Sequence, residues 1–151
     1  MATWKFKNLD KYVAQLEELS AHAEGQLKAA VWEGAKVVAD NMKAAMNGIP
    51  TDDEYHKPGE MRAGPRSEEK AGMIAGFGLS RMRTGGSVTT KAGFSGSTNG
   101  VSNATLARQI ESGTSWMRKY PAIRRAANAS RGAAEAAMAA KLEQMISQYN
   151  K

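Results

Sequence analysis

The stretch Leu9–Met46, LDKYVAQLEELSAHAEGQLKAAVWEGAKVVADNMKAAM, decides the fold. Apolar residues stand at Leu9, Tyr12, Val13, Leu16, Leu19, Ala23, Leu27, Ala30, Val31, Ala35, Val38, Met42 and Met46, in steps almost all of three or four. That is the spacing of one helical face. Asn8 supplies an N-cap, and Gly48 followed by Pro50 supplies a stop. At about 1.5 Å per residue the helix is roughly 55–60 Å long, more than a domain of this size needs. A helix that overshoots its own core packs on something else. Gly25 and Gly34 mark a bend or a close helix contact.

Outward from this helix the pattern changes. Residues 48–66, GIPTDDEYHKPGEMRAGPR, carry three prolines and three glycines and no apolar period. A loop of that length is functional or disordered, and the expectation is mobility in the free chain with order mainly on assembly. SEEKAGMIAGF then reads as a short helix capped at Ser67. In LSRMR-TGG-SVTTKAGF, Val88, Thr90, Ala92 and Phe94 alternate with Thr89, Lys91 and Gly93, and Gly85-Gly86 supplies a turn. This predicts a β-hairpin. SGSTNG reads as a loop, and SNATLARQIESG as a short helix capped by Ser102 or Asn103. From Pro121 the pattern is helical to the end, with Met138, Leu142, Met145, Ile146 and Tyr149 on one face. The sum is an α+β domain: a long N-terminal helix and a C-terminal helix packed on a small antiparallel sheet, with shorter helices between.

At 151 residues the chain suits a single domain, 1–151. Hydrophobic residues make up 42% and charged residues 24%, a composition that excludes a wholly disordered chain. Without cysteine, disulfides and thiolate metal sites are excluded. No apolar run approaches membrane-spanning length and the first residues lack the apolar core of a secretory signal, so the expected setting is a cytosol. The net charge of +6 is polarised. Residues 1–56 hold six Lys/Arg against nine Asp/Glu (−3), and residues 57–151 hold fifteen against six (+9). Such polarity steers association with an acidic partner, either nucleic acid or protein.

Catalytic signals are weak. GFSGS at 93–97 lacks the final glycine of a nucleophile elbow, and His22 and His56 are the sole candidate bases. It reads as a glycine-rich turn after a strand. DDEYH at 52–56 lacks the spacing of a calcium loop or a zinc pair and reads as a solvated acidic loop. The expectation is no enzyme, no cofactor and no metal. Arg81, Arg83, Lys91, Arg118, Lys119, Arg124, Arg125 and Arg131 could contact phosphates with Trp116 or Tyr120 stacking, but no nucleic-acid-binding motif accompanies them.

The segment IESGTSWMRKYPAIRRA, Ile110–Ala126, is the most distinctive in the chain. Glu111 can cap or pair, Gly113 permits a turn that a Cβ would forbid, and Thr114 can hydrogen-bond that turn. Trp116 and Met117 project from a stretch too short to bury both. Trp116 therefore reads as an anchor for a neighbouring subunit, against the alternative that it fills a gap over the sheet. Pro121 fixes the start of the last helix, and Arg118 and Lys119 could meet acidic positions of an adjacent copy's N-terminal region.

Together, GFGLSRM, TTKAGFSG and ATLARQIESGTSWMRKYPAIRRAANASRGAAEAAM resemble the tail-completion proteins of long-tailed bacteriophages, also called head–tail joining or neck proteins. Phage lambda's minor tail protein Z is a relative. In that family a segment like ARQIESGTS precedes a short arm, a proline and a helix; here Pro121-Ala122-Ile123-Arg124-Arg125-Ala126 departs by having Ala122 where an aromatic is usual. The resemblance spans about residues 8–146 and is densest in 76–126. Many members carry a compact motif after the first helix where this chain has a longer loop, which leaves that loop's role open.

The resemblance implies a structural virion protein of the neck, assembled in the host bacterial cytoplasm and completing the tail. It implies a ring-shaped homo-oligomer, six-fold by analogy, that grips a connector or stopper protein above and a tail terminator or tail tube protein below. DNA would at most pass through the ring, and no membrane is involved. The interface set is Glu111, Gly113, Thr114, Trp116, Met117, Arg118, Lys119, Tyr120, Pro121 and Arg124, centred on an arm at 115–121. The alternatives are a tail-terminator or minor tail protein and, from another class, a small basic DNA-binding protein.

Overall fold

The computed structural model describes residues 9–84 and 87–149, and side chains from 21 to 84 and 87 to 148. Asn8, the Gly85-Gly86 turn, the apolar side chains from Leu9 to Leu19 and the Tyr149 side chain lie outside the described residues. The chain is α+β, and its first helix is the long one that the periodicity predicts; the last helix packs chiefly against that helix and not on a sheet, and the strands form two separate antiparallel pairs.

The first helix, α1, runs unbroken over Leu9–Asn47. Gly34 is the close contact: a Cβ there would sit 2.6 Å from Met138 Cγ and 3.1 Å from the Ala134 carbonyl of the last helix. The loop 48–66 leads to α2, Ser67–Ala75. Ser67 is the first helical residue and not the cap; Arg66 holds the cap position, and its N–H donates to Glu69 Oε2 at 2.8 Å. Strand β1, Phe77–Leu79, pairs antiparallel with β2, Ala92–Phe94, in the register Phe77↔Phe94, Gly78↔Gly93 and Leu79↔Ala92. The Phe77 and Phe94 rings meet at 5.2 Å between centroids. Toward the hairpin tip, Arg83 and Thr89 exchange backbone hydrogen bonds of 2.8 and 3.0 Å.

SGSTNG is more than a loop. Ser97–Thr98 (β3) pairs with Val101–Ser102 (β4) around Asn99-Gly100, both at positive φ (52° and 79°), as a tight hairpin turn requires. Helix α3, Asn103–Ser112, follows with Ser102 as its N-cap, the Oγ accepting from Thr105 N–H at 3.1 Å. Asn103 is buried with its amide fully used: it donates to Gly72 O (3.1 Å) and Ser95 O (2.8 Å) and accepts from Thr98 Oγ1 (3.0 Å). One side chain thus ties α2, the end of β2 and the small hairpin to the start of α3.

The C-terminal helix differs from its sequence reading. It is two helices, α4 (Ala122–Ala129) and α5 (Arg131–Tyr149), divided at Ser130. Ser130 Oγ donates back to Ala126 O at 2.6 Å and accepts from the Asn41 amide at 2.8 Å. The bond back to the preceding turn and the pull from α1 together explain a break that contains no proline.

The core lies at the C-terminal end of α1, where Met46, Ile49, Met73, Phe77, Leu106, Ala107, Ile110, Met117 and Ile123 form one buried cluster. The spacing predicts that the apolar stripe of α1 buries against the hairpin and the C-terminal helix, but the described part of it is buried only in places. Ala30 is buried, but Leu27, one turn earlier on the stripe, is 43% exposed. There α1 and α5 part into an open groove lined by Ala21, His22, Gly25, Gln26, Met145 and Gln148. Ile146, placed on the apolar face of the last helix by its spacing, is exposed. Among the described residues no helix is long and apolar enough to cross a membrane.

Candidate partner interface

The arm between α3 and α4 is fixed at both ends by its own residues. Helix α3 stops at Gly113, whose φ of 75° and ψ of 166° belong to a region essentially reserved for glycine. Thr114 then closes a turn: its Oγ1 accepts from the N–H groups of Trp116 (3.3 Å) and Met117 (3.0 Å), and its N–H donates to Met117 O at 2.9 Å. At the far end Tyr120 N–H donates to Ile110 O at 2.7 Å. Glu111 Oε1 accepts from Ile123 N–H at 2.6 Å and lies 3.4 Å from the N–H of Arg124, so it caps the start of α4. Pro121 occupies the N-cap of α4, one place earlier than its sequence reading as a first-turn residue.

Adjacent arm residues point to opposite sides. Met117 is fully buried in the core cluster, whereas Trp116 is 39% exposed. The sequence set therefore divides. Glu111, Gly113, Thr114, Met117 and Pro121 build the arm from within, and Met117, expected at a subunit contact, belongs instead to the chain's own core. Trp116, Arg118, Lys119, Tyr120 and Arg124 are exposed.

The loop 48–66 supports the arm. Arg62 N–H donates to Trp116 O (2.8 Å) and Arg118 N–H donates to Arg62 O (3.0 Å), a parallel bridge around Met117. The Arg62 guanidinium lies 4.6 Å from the Trp116 ring centroid and 3.6 Å from Glu69 Oε2. Within the loop, Asp52 Oδ2 accepts from Ala63 N–H at 2.8 Å and sits 2.9 Å from His56 Nε2. The His56 hydrogen bond first, and the Ala63 N–H next, hold the Asp52 carboxyl down at about 2. Asp53 accepts from both the hydroxyl and the N–H of Ser67, which lowers its carboxyl as well and caps α2 from the loop. Ile49 and Pro65 are buried at the two ends. A loop tied down in this way does not fit the expectation of order mainly on assembly. Nor are Asp52 and Asp53 simply solvated; they are the loop's hydrogen-bond acceptors.

Between loop and arm lies a cleft of about 340 Å³ whose walls include Tyr55, His56, Lys57, Arg62, Arg66 and Trp116. Tyr55 is the most exposed large hydrophobic residue among the described residues, at 85%. Sequence reasoning did not single out Tyr55 or Arg62. The signal for Tyr55 was available, as the one aromatic within a polar loop. For Arg62 there was none, since its partner Trp116 is remote in sequence.

Elsewhere, Ser95 of GFSGS hydrogen-bonds Gly76 O, through its N–H at 2.8 Å and its Oγ at 3.2 Å. His56 is on Asp52 and His22 is beside Met145 and Gln148, so neither accompanies that serine. Comparison with protein-family models, with curated proteins and with solved structures finds no match to this chain.

Proposed function

We propose that this chain is a structural protein that assembles into a ring at the joint between capsid and tail of a long-tailed bacteriophage. The observation that carries the reading is the arm: a half-exposed tryptophan held on a turn pinned at both ends, beside an open cleft with an exposed tyrosine. Aromatic side chains whose position is already fixed lose little freedom on docking, and they dominate interface energetics. The sequence resemblance over 76–126 supplies the context in which such an arm has a use.

The protein acts by complementarity and not by chemistry. Its arm and cleft meet a different surface on the next copy, and a heterologous contact of this kind closes into a ring when the rotation allows. Exposed loops then grip the connector on one side and the tail on the other. Light scattering and negative-stain imaging of the purified protein, alone and with tails lacking it, test the reading. Closed rings that restore head–tail joining are expected. A protein that stays monomeric at all concentrations and leaves such tails unjoined overturns it.

A further inference from the structure

The basic side chains of the folded chain are not treated alike. Lys28 pairs with Glu24 at 3.1 Å, Lys36 with Glu33 at 3.9 Å and Arg131 with Glu135 at 3.1 Å, each on its own helix. Arg108, Arg118, Lys119, Arg124 and Arg125 are all exposed and in no ion pair among the described residues, and what sets them apart from other unpaired cations such as Lys43 and Arg81 is their closeness in the chain. All five lie within 108–125, whose one carboxylate, Glu111, is turned inward on the α4 N–H groups. The Tyr120–Ile110 and Glu111–Ile123 hydrogen bonds fold this segment back on itself, so the five cations stand on one short stretch whose backbone is pinned at both ends.

We infer that this face binds the phosphodiester backbone of nucleic acid without reading its sequence. A cluster of unpaired like charges is self-repelling and is relieved by a dense polyanion. Four of the five are arginines, whose planar fork suits phosphate oxygens. Among the described acidic residues of the N-terminal region, Glu24 and Glu33 are engaged with lysines and Asp52 and Asp53 with the loop, while Asp40 and Glu54 are exposed, so an acidic protein surface is the competing outcome of the test. The inference concerns the single chain and does not rest on ring formation.

Anisotropy of a short fluorescent DNA duplex of mixed sequence, titrated at several salt concentrations, is the test. With about four phosphates neutralised, log affinity falls against log salt with a slope of about −4, or roughly a hundredfold or more between about 50 and 200 mM. Changing Arg118→Gln, Lys119→Gln, Arg124→Gln and Arg125→Gln together removes most of the binding and most of the slope. The control changes Lys28→Gln, Lys36→Gln, Lys43→Gln and Lys141→Gln remove the same charge elsewhere and leave affinity within about twofold, circular dichroism confirming the fold of both. Should the fourfold arm variant misfold, single Arg→Gln changes on the arm each lower the slope by about one. Equal losses in both sets, or competition by polyglutamate as effective as by DNA at matched charge, overturn the inference. The latter result assigns the face to an acidic protein. Imaging the same arm variants for rings separates this result from the fate of the ring proposal.

Discussion

Arg62 and Trp116 are joined twice, by the backbone hydrogen bond from Arg62 N–H to Trp116 O at 2.8 Å and by the guanidinium lying 4.6 Å from the indole centroid. The first contact fixes the arm's backbone. The second covers one part of the ring and leaves the rest open toward Tyr55 across the cleft. Glu69, 3.6 Å from Arg62, holds the guanidinium in place from α2.

Neighbouring arm residues consequently separate folding from docking. Trp116→Ala loses a half-exposed side chain and one cation–π contact, and folding stability falls by about 1 kcal/mol. Ring assembly weakens by about 2 kcal/mol or more if the tryptophan anchors a neighbour. Met117→Ala instead opens the core and costs about 2–5 kcal/mol of folding stability. Urea unfolding and ring formation measured on both variants check the division. A tryptophan variant that unfolds like the methionine variant, yet assembles normally, shows that Trp116 serves only its own chain.

Gly113 is the hinge point on which the arm leaves α3. Its φ and ψ of 75° and 166° exclude other residues, and an added Cβ would lie 2.8 Å from Lys119 Cβ. Gly113→Ala therefore destabilises the chain by about 1–3 kcal/mol, from backbone strain alone or with the clash. A thermal unfolding midpoint equal to that of the unaltered protein contradicts this account of the turn.

The loop carries a pH dependence of definite sign. Asp52 is held at about 2 in the folded chain against an ordinary value of 3.8, so its folded form binds protons less readily than its unfolded form. The stabilisation is fully present above 3.8 and is lost as pH falls through that value toward about 2. Asp53 is shifted in the same direction by Ser67. Unfolding midpoints in urea should drop across this window, and Asp52→Asn should flatten the drop. Parallel curves for the two proteins count against the Asp52–His56–Ala63 arrangement.

What the sequence made legible follows from distance along the chain. Helix α1 was readable because its stripe repeats over many turns, and the main hairpin because Val88, Thr90, Ala92 and Phe94 alternate. The small hairpin at Asn99-Gly100 carried the right turn pair, but strands of two residues are too short to show alternation. The break at Ser130 depends on Asn41, 89 residues away, and no local pattern announces it. In the arm, residue type marked Gly113 and Thr114 as turn residues and left Glu111 to cap or pair; the structure makes it a cap. Which of Trp116 and Met117 faces the core depended on Arg62 and the loop, and so on tertiary structure.

The two glycines inside α1 give opposite expectations for one substitution. A Cβ on Gly25 meets nothing within 4 Å, so Gly25→Ala brings only the helix-propensity gain and stabilises by about 0.5–1 kcal/mol. At Gly34 the same gain is opposed by the last helix. The Met138 side chain can move aside, but the Ala134 carbonyl at 3.1 Å is backbone and yields only if α5 shifts on α1. Overpacking of this kind costs typically about 1–3 kcal/mol, which exceeds the propensity gain over most of that range. Gly34→Ala is therefore expected to lower the unfolding midpoint while Gly25→Ala raises it, both read by circular dichroism under one set of conditions. If both variants gain stability, α1 and α5 are not in contact at Gly34, and the groove by Gly25 extends further along the helix pair than the structure places it.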